Sequence, residues 1–331
     1  MKIGCDLFLD LQMFSLPDFD RRRLEAKFDL QVIEVNTPSS PDVPSDISIY
    51  WGNRITPEII SSSKSLKWIH FGSVGVDRAK DSNAEEMGIL VSSSRGLVSA
   101  PMTASALGFL TSLARGFHHA ARLRFERNLS RSSFDHYFRE IQDLEGQTVA
   151  IVGLGDVGGR FAKVCAALGM KVVGIRKDAS RHCDFVAETY TLNDLPKAIS
   201  QADFVFNFLP LSSETRQVFG EEIFSLMRPS SYFVNMGRGE TVDEDALIVA
   251  LAERRILGAG LDVFATEPLS PISPLWGLEN VLILPHVSGL SQSYWTKQVE
   301  LFEENLELFL SGKQSAMRNL EKVGKSGDRH G

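Results

Sequence analysis

The chain is predicted to be an α/β protein built from two doubly wound parallel-sheet domains with a cleft between them. Three observations carry that prediction. Short strand-like and helix-like stretches alternate along the chain, the pattern of parallel sheets with helices on their faces. A glycine turn, Gly153-Leu154-Gly155-Asp156-Val157-Gly158, joins a β-branched run to a helix-forming segment. At 331 residues the chain is too long for one ordinary core and suits two domains. Sheets of this kind are Rossmann-like or flavodoxin-like.

The elements follow in order. Lys2–Leu9, Leu30–Val35, Ile47–Trp51, Leu66–Gly72 and Ile89–Ser92 read as strands, with helices at Asp18–Phe28 and Thr56–Ser63. Thr37–Ser45, with Pro38, Pro41 and Pro44, is a loop. Pro101 opens a long helix running to about Arg127, with Ala104, Leu107, Leu110, Ala114 and Phe117 at helical spacing. Asn128–Asp143 is polar and irregular. A second series then starts at Val149–Val152 and continues with the helix Val157–Leu168 and the strand Lys171–Ile175. Phe204–Asn207, Tyr232–Asn235, Ala259–Val263 and Val281–Leu284 complete six strands, with helices near Glu221–Met227, Val242–Ala252 and Ser291–Leu310. The tail Lys322–Gly331 is expected to be disordered. The expected domains are 1–100 with 291–331, and 101–290. The return of the last helix to the first domain comes from the resemblance described below, since periodicity does not show it.

Composition excludes several classes. A hydrophobic content of 43% and a charged content of 23% are those of a soluble globular protein. A net charge of −7 argues against a nucleic-acid surface, and no Lys/Arg block points to an anionic membrane. Arg21-Arg22-Arg23 precedes Leu24-Glu25-Ala26-Lys27-Phe28 and reads as a solvated helix face. Cys5, Cys165 and Cys183 have neither paired nor metal-ligand spacing, so they are expected to be reduced and no metal is expected. Met1–Leu11 carries Asp6 and Asp10 and reads as a strand, not a signal peptide. A cytoplasmic enzyme without membrane or nucleic-acid partner is the expectation.

The glycine turn has a specific chemistry. Gly153 permits the turn, Gly155 lets the backbone approach a pyrophosphate, and Gly158 lets the helix lie close to the strand. With Asp156 and Val157 these glycines form the expected dinucleotide-phosphate site at a helix N-terminus. Three later clusters follow predicted strand ends, where doubly wound sheets bind ligands. They are Asn235-Met236-Gly237-Arg238-Gly239, Leu261-Asp262-Val263-Phe264-Ala265-Thr266-Glu267-Pro268 and Leu284-Pro285-His286-Val287-Ser288-Gly289. An Arg offers a planar fork to a carboxylate or carbonyl oxygen. A His exchanges a proton near neutral pH, and a neighbouring carboxylate orients it and favours its protonated form.

On these motifs the sequence closely resembles the D-isomer-specific 2-hydroxyacid dehydrogenases, which include glyoxylate/hydroxypyruvate reductases and phosphoglycerate dehydrogenases. The resemblance extends from about Leu66 to Leu310. It implies Arg238, Glu267 and His286 as the catalytic set. It also implies that the backbone N–H groups of Val74 and Gly75, in Phe71-Gly72-Ser73-Val74-Gly75-Val76-Asp77, hold the substrate carboxylate. Leu209-Pro210 would bracket the adenine, Asp262 would meet the nicotinamide carboxamide, and Met236 and Gly237 would lie beside the nicotinamide ring. His286 and Gly289 join the cofactor set, and Trp51 would face the substrate side chain, with a core aromatic as its alternative. His70 is the rival proton donor but has no apparent Glu partner.

The implied reaction is hydride transfer between NAD(P)H and C2 of a small 2-oxo acid, giving the D-2-hydroxy acid, with domain closure removing water. The sequence departs from the family at Thr103-Ala104, where many members have Ala-Glu. It departs again after Lys171–Ile175, where NAD-specific members place an Asp to accept from the ribose hydroxyls. Here Arg176 and Lys177 follow, and they attract a 2′-phosphate, so NADP(H) is favoured over NAD(H), with Asp178 still in reach of the ribose. Family members are commonly dimers, so a homodimer is expected. Two alternatives stand beside this reading: a nucleotide-sensing corepressor-like binding protein of the same fold, and formate dehydrogenation, which needs no acid–base couple.

Overall fold

The computed structural model describes residues 1–7, 15–35, 44–76 and 84–322. The chain forms two compact units, Met1–Val98 with Leu290–Gly331, and Ser99–Gly289.

In the first unit the strands are β1 (Lys2–Cys5), β2 (Gln31–Glu34), β3 (Ile49–Trp51), β4 (Trp68–Phe71) and β5 (Leu90–Ser93). They form a parallel sheet in the order β2-β1-β3-β4-β5. Among the described residues the unit's helices are α1 (Asp18–Phe28) and α2 (Pro57–Ser62), with Thr56 capping α2, and the helix nearest the C-terminus, α10 (Tyr294–Leu310). Val299, Phe302 and Leu306 of α10 fall on one helical face and pack among Ile3, Cys5, Ile49, Trp51 and Trp68. The predicted end of the first strand at Phe8 and Leu9, most of the Thr37–Ser45 loop, Asp77 and the tail from 323 lie outside the described residues.

The second unit opens with α3 (Ser99–Ala114), α4 (Phe117–Phe125) and α5 (Arg131–Asp135). There follow β6 (Thr148–Val152), α6 (Asp156–Ala167), β7 (Lys171–Ile175), β8 (Glu188–Tyr190), α7 (Leu195–Ser200) and β9 (Phe204–Asn207). The series ends with α8 (Glu221–Leu226), β10 (Tyr232–Asn235), α9 (Glu244–Ala252), β11 (Gly258–Leu261) and β12 (Val281–Ile283). The seven strands pair in parallel as β12-β11-β10-β9-β6-β7-β8. Strand order therefore reverses between β6 and β9, the place where such sheets open a crevice for ligands. Alternate residues of β6 serve two cores: Val149 and Ile151 pack on one face, Ala150 and Val152 on the other. Both faces are apolar because helices cover both, and each buried Val or Ile contributes about 1.5–3 kcal/mol.

Two predicted elements are corrected. The single helix from Pro101 to about Arg127 is broken, because Gly116 adopts φ 67° between α3 and α4. That left-handed conformation interrupts the helical backbone, and glycine holds it without a steric penalty. The six-strand count misses β8, a short, half-buried edge strand whose Glu-Thr-Tyr carries no apolar run. No helix among the described residues is long and apolar enough to cross a membrane.

Candidate active site

At the turn after β6, each glycine answers to a different constraint. Gly153 has φ 104°, and a Cβ there would come within 2.9 Å of the Phe208 carbonyl carbon. A Cβ on Gly158 would lie 2.2 Å from the Gly153 carbonyl oxygen, so only glycine lets α6 start this close to β6. Around the Cβ position of Gly155 there is no atom within 4 Å. The backbone is therefore bare where α6 presents its unpaired N–H groups, and an anion fits there. Gly153, Gly155, Arg176, Lys177, Leu209 and Pro210 line one groove of about 900 Å³ together with Asp178 and Arg181. This groove and its glycine cradle fit a dinucleotide. The Asp178 carboxylate turns into its own loop, accepting from the Ser180 N–H at 3.0 Å and the Ser180 hydroxyl at 2.6 Å. Those bonds hold its pKa below the usual carboxylate range. Val157 lies in the first turn of α6, and the exposed Asp156 accepts a hydrogen bond from Ser99 at the start of α3. Thr103 is spent on its own helix, donating to the Ser99 carbonyl at 2.7 Å.

A polar network at the ends of β9 and β10 holds the Arg238 loop. Asn207 Nδ2 donates to Asn235 Oδ1 at 3.0 Å and to Thr241 Oγ1 at 2.7 Å. Thr241 and Asn235 in turn donate to the Arg238 carbonyl, and Asn235 Oδ1 also accepts from the Gly237 N–H. All three side chains are buried, where each polar atom must find a partner. Asn207 and Thr241 stand outside the recognised motifs; an Asn ending each of two strands is the signal the sequence offers. Gly237 packs against Leu209, and a Cβ there would fall 2.5 Å from the Leu209 carbonyl oxygen. Met236 points into the core beneath β9 and β10, so only its backbone borders the loop.

Glu267 and His286 meet directly. His286 Nδ1 lies 2.7 Å from Glu267 Oε2, and Glu267 Oε1 accepts from the Phe264 N–H at 3.1 Å. An ionised carboxylate only accepts, so Nδ1 carries the proton of this bond and Nε2 is the end free to exchange one. Glu267 raises the His286 pKa above its ordinary value against the opposing effect of burial. Burial raises the Glu267 pKa, but the His286 hydrogen bond and charge outweigh it and the carboxyl titrates below its usual range. Arg238 donates to its neighbouring Gly237 carbonyl at 2.8 Å, and its charge reaches both partners of the pair. Asp262 is buried beneath them. Its carboxylate accepts from the Val287 and Ser288 N–H groups at 2.9 and 3.3 Å, and its carbonyl accepts from the His286 N–H at 2.8 Å. His286 itself has φ 55°, a left-handed conformation rarely taken by a non-glycine residue and held here by the surrounding bonds. Ser105 ties the same turn by donating to the Ser288 carbonyl at 3.2 Å, next to the half-buried Gly289.

The first unit contains Val74 and Gly75. Three carbonyls of the 72–75 turn are occupied: Gly72 by Tyr294 and Gln298, Ser73 by the Ser94 N–H, and Gly75 by the Ser73 hydroxyl. Among the described residues, the N–H groups of Val74 and Gly75 meet no acceptor, and Val74 is exposed. Successive free N–H groups form an anion nest. Trp51 takes its core-aromatic alternative: it is fully buried in this unit's core, stacked on Phe302 at 3.9 Å between ring centres, so it packs the sheet. His70 is likewise enclosed. Burial drives its pKa to about 3, and its Nδ1 pairs with the Ser92 hydroxyl at 2.7 Å, which removes it as a rival proton donor.

Comparison with known proteins places this geometry. The chain matches the family profile described as D-isomer specific 2-hydroxyacid dehydrogenase, NAD binding domain, over residues 107–288. It is 30% identical over 308 residues to a glyoxylate reductase of Korarchaeum cryptofilum, covering 90% of this chain and 92% of that one. It is 39% identical over 173 residues to glyoxylate/hydroxypyruvate reductase B of Shigella boydii, covering 52% and 53%. The TT0316 protein of Thermus thermophilus superposes with a TM-score of 0.82 at 27% identity, covering 97% of this chain and 100% of that one. The corepressor-like alternative draws no support from these relatives. The chain belongs to the D-isomer specific 2-hydroxyacid dehydrogenases and is an NAD(P)-dependent oxidoreductase acting between a 2-oxo acid and its 2-hydroxy acid.

Proposed function

We propose that the protein reduces small 2-oxo acids of the glyoxylate and hydroxypyruvate class, with Arg238, Glu267 and His286 as its catalytic residues. The observation that carries this is the 2.7 Å contact of Glu267 with His286 Nδ1, which leaves Nε2 as the working proton site. The nicotinamide, when bound, supplies the hydride. The Val74 and Gly75 N–H groups hold the substrate carboxylate, and Arg238 orients the acid and polarises its ketone. Protonated His286 delivers its Nε2 proton to the carbonyl oxygen, while Glu267 stabilises the imidazolium and keeps its ring in place. Residues 1–100 with 291–331 serve as the substrate domain and 101–290 as the nucleotide domain.

NADP(H) is the favoured nucleotide. Arg176, Lys177 and Arg181 line the groove beside the glycine turn and attract a 2′-phosphate, against the one Asp178 carboxylate, which bonds to Ser180. The reaction assigned here requires no metal. Three free cysteines and a net charge of −7 support a cytoplasmic enzyme without a nucleic-acid partner.

One assay tests the reading: following NADPH and NADH absorbance with glyoxylate, hydroxypyruvate and a bulkier 2-oxo acid, for the wild type and His286→Ala. The wild type should prefer NADPH and the small acids. His286→Ala should keep its nucleotide affinity and lose on the order of 10²–10⁴ in kcat, the usual worth of a positioned acid. Near-normal turnover in the variant would overturn the assignment.

A further inference from the structure

Tyr294 and Gln298 are four residues apart on α10 and therefore share a face. Both reach the same oxygen: the Tyr294 hydroxyl donates to the Gly72 carbonyl at 2.9 Å, and Gln298 Nε2 donates to it as well. Two donors fill both lone pairs of one carbonyl. The second Nε2 hydrogen goes to Tyr294 Oη at 3.0 Å, and Gln298 Oε1 lies 2.7 Å from the Ser94 hydroxyl, whose one hydrogen it shares with the Phe71 carbonyl at 2.8 Å. The amide fits in one orientation only; reversed, its oxygen would face the Gly72 carbonyl. Ser94 closes the circuit, since its own N–H donates to the Ser73 carbonyl at 3.0 Å. Gln298 is entirely buried.

A glutamine in that position is a costly way to pack a helix on a sheet, because every polar atom must be matched before burial becomes tolerable. What the network achieves is local. Gly72 is the first residue after β4, and fixing its carbonyl fixes the peptide plane that leads into Ser73, Val74 and Gly75. With the carbonyls of Gly72, Ser73 and Gly75 tied back, the neighbouring N–H groups are left for a ligand.

We propose that Tyr294 and Gln298 are positioning residues for substrate: by clamping the Gly72 carbonyl, they hold the Val74–Gly75 turn in its anion-binding form. The inference rests on the reading of that turn as the carboxylate site. It assigns the pair an effect on substrate affinity, separate from the hydride and proton steps.

The test compares Tyr294→Phe, Gln298→Met and Val74→Pro, with glyoxylate and NADPH as substrates and thermal melting as a control. Tyr294→Phe should raise the KM for glyoxylate about 3-fold and Gln298→Met about 10-fold, the range of one lost hydrogen bond and of several. In both variants kcat should stay within about two-fold, and NADPH affinity should be unchanged, because ground-state and transition-state binding of the acid are affected equally. Val74→Pro deletes one of the proposed N–H donors outright and should raise the same KM. If Val74→Pro raises KM while the α10 variants do not, the positioning inference falls and the carboxylate site stands. If Val74→Pro also leaves KM unchanged, the carboxylate reading itself fails. Parallel losses of kcat, NADPH affinity and melting temperature in the α10 variants would reduce the pair to structural packing and overturn the proposal. Should Gln298→Met not fold, the milder Tyr294→Phe decides.

Discussion

At the scale of single residues, the pH dependence of the reaction should follow the His286–Glu267 pair. Glu267 holds the His286 pKa above its ordinary value, so the imidazolium survives to higher pH than a free imidazole's would. Reduction consumes that proton and should be fast below the raised pKa, falling as pH rises through it. Oxidation of the hydroxy acid needs the neutral ring and should rise over the same interval. In Glu267→Gln the stabilising charge is gone, the His286 pKa drops, and the alkaline limb of kcat/KM for reduction should move to lower pH. An unchanged profile would contradict the pairing. The residues proposed here as catalytic, Arg238, Glu267 and His286, were legible from their motifs. The contributions of Asn207, Thr241 and Asp262 as supports were not, because each acts through hydrogen bonds to residues far along the chain.

At the scale of elements, α6 contains adjacent glycines with opposite requirements. A Cβ on Gly158 would meet the Gly153 carbonyl oxygen at 2.2 Å, whereas around that of Gly159 there is no atom within 4 Å. Replacing a helical glycine by alanine gains about 0.5–1 kcal/mol from backbone entropy. At Gly159 nothing opposes that gain, so Gly159→Ala should raise the melting temperature. At Gly158 the collision is with backbone that cannot rotate away, and overpacking of this kind costs about 1–3 kcal/mol. Gly158→Ala should therefore melt lower and bind NADPH more weakly, since the displaced helix carries the N–H groups expected to meet the phosphates. Equal behaviour of the two variants, read by melting and by nucleotide titration, would remove the assigned role of Gly158. The motif gave the glycines in order; which of the neighbouring pair is obligatory depends on the approach of α6 to β6.

At the scale of the whole molecule, apolar side chains remain in solvent along one segment of the second unit. Phe125 is 90% exposed and Phe138 74%, with Phe117 and Leu129 above half. We propose these exposed side chains as the seat of the homodimer expected from the family resemblance. Light scattering should then give twice the 36.7 kDa chain mass. Phe125→Asp with Phe138→Asp should give monomers, because a charge at the centre of a dry interface costs several kcal/mol. A monomeric wild type at micromolar concentration would refute the homodimer.

The sequence by itself determined the class of fold, the family and the chemistry. Strand–glycine–helix order at Val149–Lys163 and the motifs around Arg238, Glu267 and His286 are local patterns, and local patterns survive in a one-dimensional reading. Only the tertiary structure decided the rest. From sequence Trp51 suits a substrate pocket or a core equally, and the stack of Phe302, from the far end of the chain, makes it core. The helix from Pro101 looked continuous until the left-handed turn at Gly116 divided it. The free N–H groups of Val74 and Gly75 acquire their meaning from Tyr294 and Gln298, which reach back to Gly72 from the last helix. In each case but the Gly116 turn, the deciding interaction joins residues distant in sequence, where composition and periodicity carry no information.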